Sequence, residues 1–224
     1  MLDILAETPD WIAINKPCGI VVETMPQGFL SVESMVKQYL STTKKQPFVG
    51  VVHRLDRPVS GVLLFAKKKS ILKSLNEQFS RRLVEKTYLA WVQTPPAEAT
   101  QILVHWLLTD NTTRKATIQP PKTPKAALCK LSYTQLNNLM PYIQEEGVGG
   151  GVILRVRPET GKFHQIRAQL SAIGCPIVGD EKYGAALPFM PNAIALHAAS
   201  LLFFDPLSQQ KIVLTAPCTF CRPC

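Results

Sequence analysis

The sequence predicts an α+β fold, with a largely antiparallel, mixed sheet and flanking helices and loops. Three observations lead there. Short apolar or alternating runs recur along the chain with turn residues between them. Helical stretches are few and fall irregularly among the strands, unlike the regular alternation of a parallel βαβ sheet. A chain of 224 residues, 46% of them hydrophobic, can bury a substantial core, and its length suits one domain spanning 1–224.

The elements follow in order. Trp11 to Val22 reads as strand, Pro/Gly turn and strand, with Lys16 at the turn. Ser31 can cap a helix whose apolar residues Val32, Met35, Val36, Tyr39 and Leu40 share one face. Val62 to Ala66 is an apolar strand, and a second amphipathic helix over about 70–83 turns Ile71, Leu72, Leu75 and Phe79 inward. Glu85 to Val92 alternates as a strand, placing Tyr88 on the side of Lys86 and Ala90. The stretch from Pro95 to Pro124 is less regular, and its basic, proline-rich end, Pro120 to Lys125, reads as an exposed loop. Leu128 to Leu136 and Val152 to Val156 are strands, joined through the glycine-rich segment Glu145 to Gly151 as a flexible hairpin connection. A turn at Pro158 to Gly161 opens a short helix with Ile166, Leu170 and Ile173 inward and Gly174 as its stop. Leu196 to Phe204 is a last buried strand.

Composition narrows the function classes. With 25 Lys+Arg against 16 Asp+Glu, a formal charge of +9 favours a polyanionic partner such as nucleic acid. No run is long and apolar enough to span a bilayer, and the first residues lack the pattern of a signal peptide, so a soluble cytoplasmic protein is expected. Six scattered cysteines suit reduced thiols. Cys218, Cys221 and Cys224 have ligand-like spacing without a nearby fourth ligand, so Pro217–Cys224 reads as a frayed tail and no metal is expected.

The chemistry concentrates in His53-Arg54-Leu55-Asp56-Arg57-Pro58-Val59-Ser60-Gly61, which sets one carboxylate between two guanidiniums at the mouth of an apolar strand. A second basic cluster, Lys162, His164 and Arg167, sits at the start of the short helix, where side-chain charge and free N–H groups together suit an anion.

Together with Asn15-Lys16-Pro17, Lys86-Thr87-Tyr88-Leu89-Ala90, Thr160-Gly161-Lys162-Phe163-His164-Gln165-Ile166-Arg167, Pro176 to Gly184 and Leu196-His197-Ala198, the Asp56 motif resembles the ordered motifs of the RluA-type RNA pseudouridine synthases. The resemblance spans nearly the whole chain. It implies a catalytic domain with a basic cleft across its sheet, isomerising uridine to pseudouridine in ribosomal or transfer RNA without cofactor or metal, as a monomer with RNA as its partner. Asp56 would be the essential aspartate, Tyr88 would pack against the base and serve proton transfer, Arg167 would pair with the aspartate, and Arg54 would occupy the space left by the extruded nucleotide. Lys16, His53, Arg57, Lys162, His164 and Gln165 would contribute RNA or substrate contacts. The reaction breaks the C1′–N1 bond and rejoins the base through C5, so the carboxylate acts at the sugar, by attack on C1′ or by removal of the 2′ proton.

Val59, Lys162 and Asp205 depart from the residues usual in that family and bear on substrate fit. The S4 RNA-binding module that many relatives carry is not expected, leaving RNA selection to the basic loops. A non-catalytic RNA-binding or chaperone protein on the same fold is the alternative. A glycoside hydrolase would need a second cooperating carboxylate, and none stands out in a comparable setting.

Overall fold

The computed structural model describes residues 2–24, 28, 30–43, 45–137, 139–141, 151–218 and 220–223. In chain order the elements are β1 (Ile4–Glu7), β2 (Trp11–Lys16), α1 (Val32–Leu40), β3 (Gly50–Val51), β4 (Ser60–Ala66), α2 (Lys69–Ser80) and β5 (Glu85–Val92). There follow β6 (Thr100–Asp110), β7 (Lys115–Gln119), β8 (Ala127–Leu136), β9 (Leu139–Pro141), β10 (Val152–Pro158), α3 (Gln165–Ala172), a 3-10 turn at Glu181–Tyr183, β11 (Leu196–Phe204), β12 (Lys211–Thr215) and β13 (Cys221–Pro223). The content is α+β, and the strand pairing is largely antiparallel, as the sequence predicts. The chain divides into two compact units, Met1–Lys86 with Ala198–Pro217, and Thr87–His197 with Cys218–Cys224.

In the first unit β2 is sandwiched between antiparallel β1 and β4, β3 pairs β4, and β12 pairs β11. Residues 20–22, expected as a strand, contribute only a bridge from Val21 to Ser31. The reason is geometric: both edges of β2 are already occupied, so the chain leaving Pro17 has no free edge to pair with. Ser31 caps α1 through a reciprocal pair with Ser34, its Oγ accepting from the Ser34 N–H at 3.0 Å. Helix α2 buries Ile71 and Leu75 against Trp11, Leu64, Phe203 and their neighbours in one apolar cluster. Gln78, on the same helix face, donates to the Phe204 carbonyl at 2.7 Å and accepts the Phe204 N–H at 2.9 Å, fastening the helix to β11. Asp205, the residue that departs from the family pattern, accepts from the Trp11 indole N–H at 2.8 Å and from the backbone of Leu207 and Ser208. Its role here is to close a turn.

In the second unit the strand order is β5-β10-β8-β6-β7, antiparallel throughout. The segment expected to be irregular therefore holds the long hairpin β6–β7. Its apolar residues lie on both faces of β6, which hides the period of two that would mark a half-buried strand. The proline-rich stretch after it is the turn foreseen, from Pro120 to Ala126. Helix α3 packs on β6 and β7 with Ala168 beside Leu107, Ala116 and Cys129. In the terminal segment read as a tail, Phe220 is buried edge-on against Phe189 and His197, and β13 pairs β9. Most of the glycine-rich connection, 142–150, lies outside the described residues, as does Cys224. No described helix is long and apolar enough to cross a membrane.

Gly61 opens β4 with φ +114°, and an added Cβ would stand 2.3 Å from the Ala198 carbonyl oxygen on β11. Gly61→Ala is expected to destabilise the chain by about 2–3 kcal/mol through this overlap and the positive φ, read as a lowered midpoint in denaturant unfolding.

Candidate active site

The Asp56 loop is fixed from beneath by a buried cation. The register of β2 against β4 pairs Lys16 with Gly61, so the Lys16 side chain runs under the residues that enter β4. Its ammonium group, with the residue at 0% exposure, donates to the carbonyls of Pro17 at 2.8 Å, Arg57 at 3.2 Å and Val59 at 2.7 Å. Burial lowers its pKa to about 8, opposed by electrostatic interaction with Cys18 and Asp56. The Val59 N–H closes the turn onto the Asp56 carbonyl at 3.0 Å. From the side, Arg57 Nε donates to the Gly19 carbonyl at 2.9 Å while the Gly19 N–H donates to the Arg57 carbonyl at 2.8 Å. Leu55 and Val59 point inward, and Asp56 stands half-buried between them. An acid on such a loop is held by its backbone and carries little freedom to lose on binding.

His53 is part of this support. Its Nε2 accepts the Leu64 N–H at 3.2 Å, and its ring stacks on Phe79 of α2 at 5.1 Å. Burial, with Lys86 adding repulsion, brings its pKa down to about 3, and burial also lowers that of Lys86. Arg54 is different: its guanidinium is exposed and bridges Glu23 at 3.0 Å, a surface pair worth at most about 1 kcal/mol.

Tyr88 and the residues around α3 lie in the second unit. Tyr88 is half-buried on β5, opposite Val156 of β10. Arg167 sits inside a closed arrangement. Its Nε and Nη2 donate to the two carboxylate oxygens of Asp180 at 2.7 and 2.8 Å, its Nη1 contacts His164 Nε2 at 2.9 Å, and its guanidinium lies 5.0 Å over the Tyr183 ring. A guanidinium only donates, so Nε2 of His164 accepts and its proton is on Nδ1, which then donates to the Tyr183 hydroxyl oxygen at 3.0 Å. The same oxygen accepts the Ala116 N–H at 2.8 Å. Desolvation first, then the Arg167 charge, push the His164 pKa to about 3, so the ring is neutral. His164 reaches this position in the left-handed region, φ 53°, immediately before α3.

Lys16 is fully buried with its donors committed to carbonyls, and half-buried His53 accepts a backbone N–H through Nε2. Gln165 is also interior: its carbonyl oxygen accepts from Thr160 at 2.8 Å and the Lys162 N–H at 3.1 Å, and its amide donates to Lys130 and Gln169. The anion site expected at the start of α3 is altered too, since Arg167 is 6% exposed and tied to Asp180. Lys162, Arg54 and Arg57 remain at the surface. Sequence reasoning missed Asp180 and Tyr183 as partners. Both lie in the Pro176 to Gly184 motif, but 13 residues separate Asp180 from Arg167, and no helical or strand period connects them. Among the described residues no cluster of His, Cys, Asp and Glu could hold a metal.

A family model described as RNA pseudouridylate synthase matches residues 10–172. The chain is 32% identical to the dual-specificity RNA pseudouridine synthase RluA of Vibrio vulnificus, over 98% of this chain and 88% of that protein. It is 34% identical to tRNA pseudouridine synthase C of Haemophilus ducreyi, over 96% and 90% respectively. Among solved structures, human RNA pseudouridylate synthase domain containing 1 superposes with a TM-score of 0.77 at 23% identity, covering 97% of this chain and 83% of that one.

Breaking the Arg167 pair by Asp180→Ala is expected to destabilise the fold by about 3–5 kcal/mol, because a buried guanidinium loses the carboxylate that meets it at two nitrogens; chemical denaturation measures it. Acid should act through His53 and His164. Each has a folded pKa near 3 against 6.5 in the unfolded chain, so between those values the unfolded state binds the extra proton. Their stabilising share is complete above pH 6.5 and is lost as pH falls toward 3, and His164→Gln should flatten part of that loss in thermal melts across the range.

Proposed function

The chain belongs to the RNA pseudouridylate synthase family, and from that membership we propose that it isomerises specific uridines to pseudouridine in ribosomal or transfer RNA, with Asp56 as the essential acid. The observation that carries the assignment of Asp56 is the loop itself: a half-buried carboxylate held between two inward-facing residues on a backbone that a fully buried lysine clamps at three carbonyls.

In this reading the carboxylate acts at the sugar of the target uridine, either as nucleophile at C1′ or as base toward the 2′ proton. The C1′–N1 bond breaks, the base turns, a C1′–C5 bond forms, the C5 proton is released to solvent and N1 takes up a proton in exchange. No atom is gained or lost overall, so the reaction needs no redox partner. Tyr88 offers an aromatic face to the base and a hydroxyl for proton transfer, and Arg167 supplies positive charge. Because Asp180 and His164 occupy three of its nitrogens, the Arg167 guanidinium is held in one orientation. Arg54, whose present partner Glu23 is a surface acid, is easily released to a flipped-out nucleotide's vacated space. We take 1–224 as one catalytic domain, acting as a cytoplasmic monomer on RNA.

The test is release of tritium from RNA carrying uridine labelled at C5. Wild type should release it from ribosomal or transfer RNA transcripts, and Asp56→Asn should lower the rate by about 10³-fold or more with unchanged thermal stability. Full activity in Asp56→Asn would overturn the assignment. RNA binding without release from any cellular RNA would instead leave a binding protein on this fold.

A further inference from the structure

In the β10-β8-β6-β7 sheet of the second unit α3 packs on one face at β6 and β7, and the opposite face is exposed along Ile102, Val104, Leu128, Arg155 and Arg157. On β6 the covered face carries Leu103 and Leu107, both 3% exposed. The intervening residues look outward, with Ile102 at 57% and Val104 at 53% exposure and Trp106 and Leu108 half-buried. An open sheet face ordinarily alternates to polar side chains, because nothing in folding rewards apolar groups there. Here apolar character persists across the neighbouring strand, where Leu128 pairs with Trp106 and is itself 51% exposed.

Cations border this strip in register. Ser132 of β8 lies between Ile102 of β6 and Arg157 of β10, and Thr134 lies between Thr100 and Arg155. Lys130 stands directly opposite Val104. Arg155 and Arg157 are exposed and share this face, roughly 7 Å apart along the strand, a step similar to that between successive phosphates of an extended nucleic-acid strand. The outward positions from Ile102 to Leu108, Leu128 to Thr134 and Arg155 to Arg157 contain no carboxylate. Glu159 pairs with Lys130 at 3.0 Å from just beyond the edge of β10. A second copy of the chain would meet this face with like charge, whereas a polyanion whose bases have apolar faces complements both the arginines and the strip.

We propose that this open face is an RNA-docking platform, in which Arg155, Arg157 and Lys130 hold phosphates and Trp106 stacks on an unpaired base. The proposal rests on the reading that the chain acts on RNA and adds a second place at which the RNA is held. Arginine forks suit phosphate oxygens, and stacking on an indole tolerates any base, so the platform supplies affinity and position without reading sequence.

The test measures binding of fluorescein-labelled oligouridylate and of transfer RNA transcript by anisotropy at several salt concentrations. It uses the full chain as wild type, Arg155→Ala/Arg157→Ala, Trp106→Ala and Trp106→Phe. The double arginine variant should bind about 10-fold or more weakly at low salt, with the slope of log affinity against log salt reduced by about two. Trp106→Ala should weaken binding about 10-fold with an unchanged slope, and Trp106→Phe should restore most of it. Trp11 and Trp91 are 3% and 2% exposed, so quenching of tryptophan fluorescence by RNA should report on Trp106 and disappear in Trp106→Phe. In the tritium assay KM should rise and kcat hold, with thermal midpoints within a few degrees of wild type. Variants that keep wild-type affinity, salt slope and KM while wild type forms pseudouridine would overturn the platform and leave the enzymatic reading intact. The expected binding losses in a protein that forms no pseudouridine would uphold the platform and sink the enzymatic reading. Unchanged RNA affinity with altered sedimentation of the variants would replace the platform by an interface between copies.

Discussion

A single buried ammonium group organises the Asp56 loop. Burying a cation is unfavourable unless each donor meets an acceptor, and Lys16 meets three backbone carbonyls, two of which belong to the Asp56 loop. A loop's carbonyls would ordinarily turn to water and leave it mobile. Here they turn inward, and the outer side of the loop is left to Asp56. Lysine suits the task better than arginine, because a compact head with three rotatable donors can serve three carbonyls arriving from different directions, where a planar fork would serve two in its own plane. Burial works against the charge and lowers the pKa to about 8, and the nearby Asp56 is among the groups that oppose this. Gly61 completes the constraint, since only a residue without Cβ lets β4 start so close to Ala198. Three segments distant in sequence, Asn15-Lys16-Pro17, His53 to Gly61 and the strand after His197, are thereby fixed to one another.

The second unit solves a related problem with a different residue. Arg167 must remain charged while buried, and its planar fork is matched by the two oxygens of Asp180, the acceptor nitrogen of His164 and the face of Tyr183. The tautomer of His164 follows from this match and in turn orients the Tyr183 hydroxyl, which ends on the Ala116 backbone of β7. One guanidinium therefore links α3, the 3-10 turn and the β6–β7 hairpin, and a substitution at any member disturbs the others. The strained backbone of His164 has its explanation here: the left-handed turn is what carries the imidazole back between Arg167 and Tyr183.

Much of the architecture was legible because hydrophobic period and caps are local. The Ser31 cap, the inward faces of α1 and α2 save for Tyr39, which is exposed and donates to Glu7, strands β4, β5 and β8 and the Gly174 stop all follow from residues within a few positions of one another. The failures were non-local. Residues 20–22 look like a strand and lack a partner edge, while β6 is a strand whose outward apolar residues conceal its period. The same division runs through the site. Composition identified the Asp56 loop and the cluster before α3, but it could not distinguish a polar side chain that faces a ligand from one that holds the backbone. Lys16, His53 and Gln165 all make bonds within the protein, and Asp180, which reads as one acid among several in a turn, meets the Arg167 guanidinium at two nitrogens.

The net charge of +9 likewise is not one pool available to nucleic acid. Lys16 and Arg167 are internal, and Lys67 and Lys68 are paired with Glu7 and Asp10 beside β2. Arg54, Lys162, Arg155 and Arg157 remain among the cations at the surface. The distinction matters for the physics of binding, because only a cation that neutralises a phosphate releases counter-ions and contributes to salt dependence. In the proposed function an Asp56 loop held so rigidly can favour one geometry of uridine, but a single nucleotide gives it little area with which to hold a large RNA. In the proposed platform, exposed arginines in register beside an apolar strip answer that need, since contacts to phosphates and to any stacked base add affinity without reading sequence.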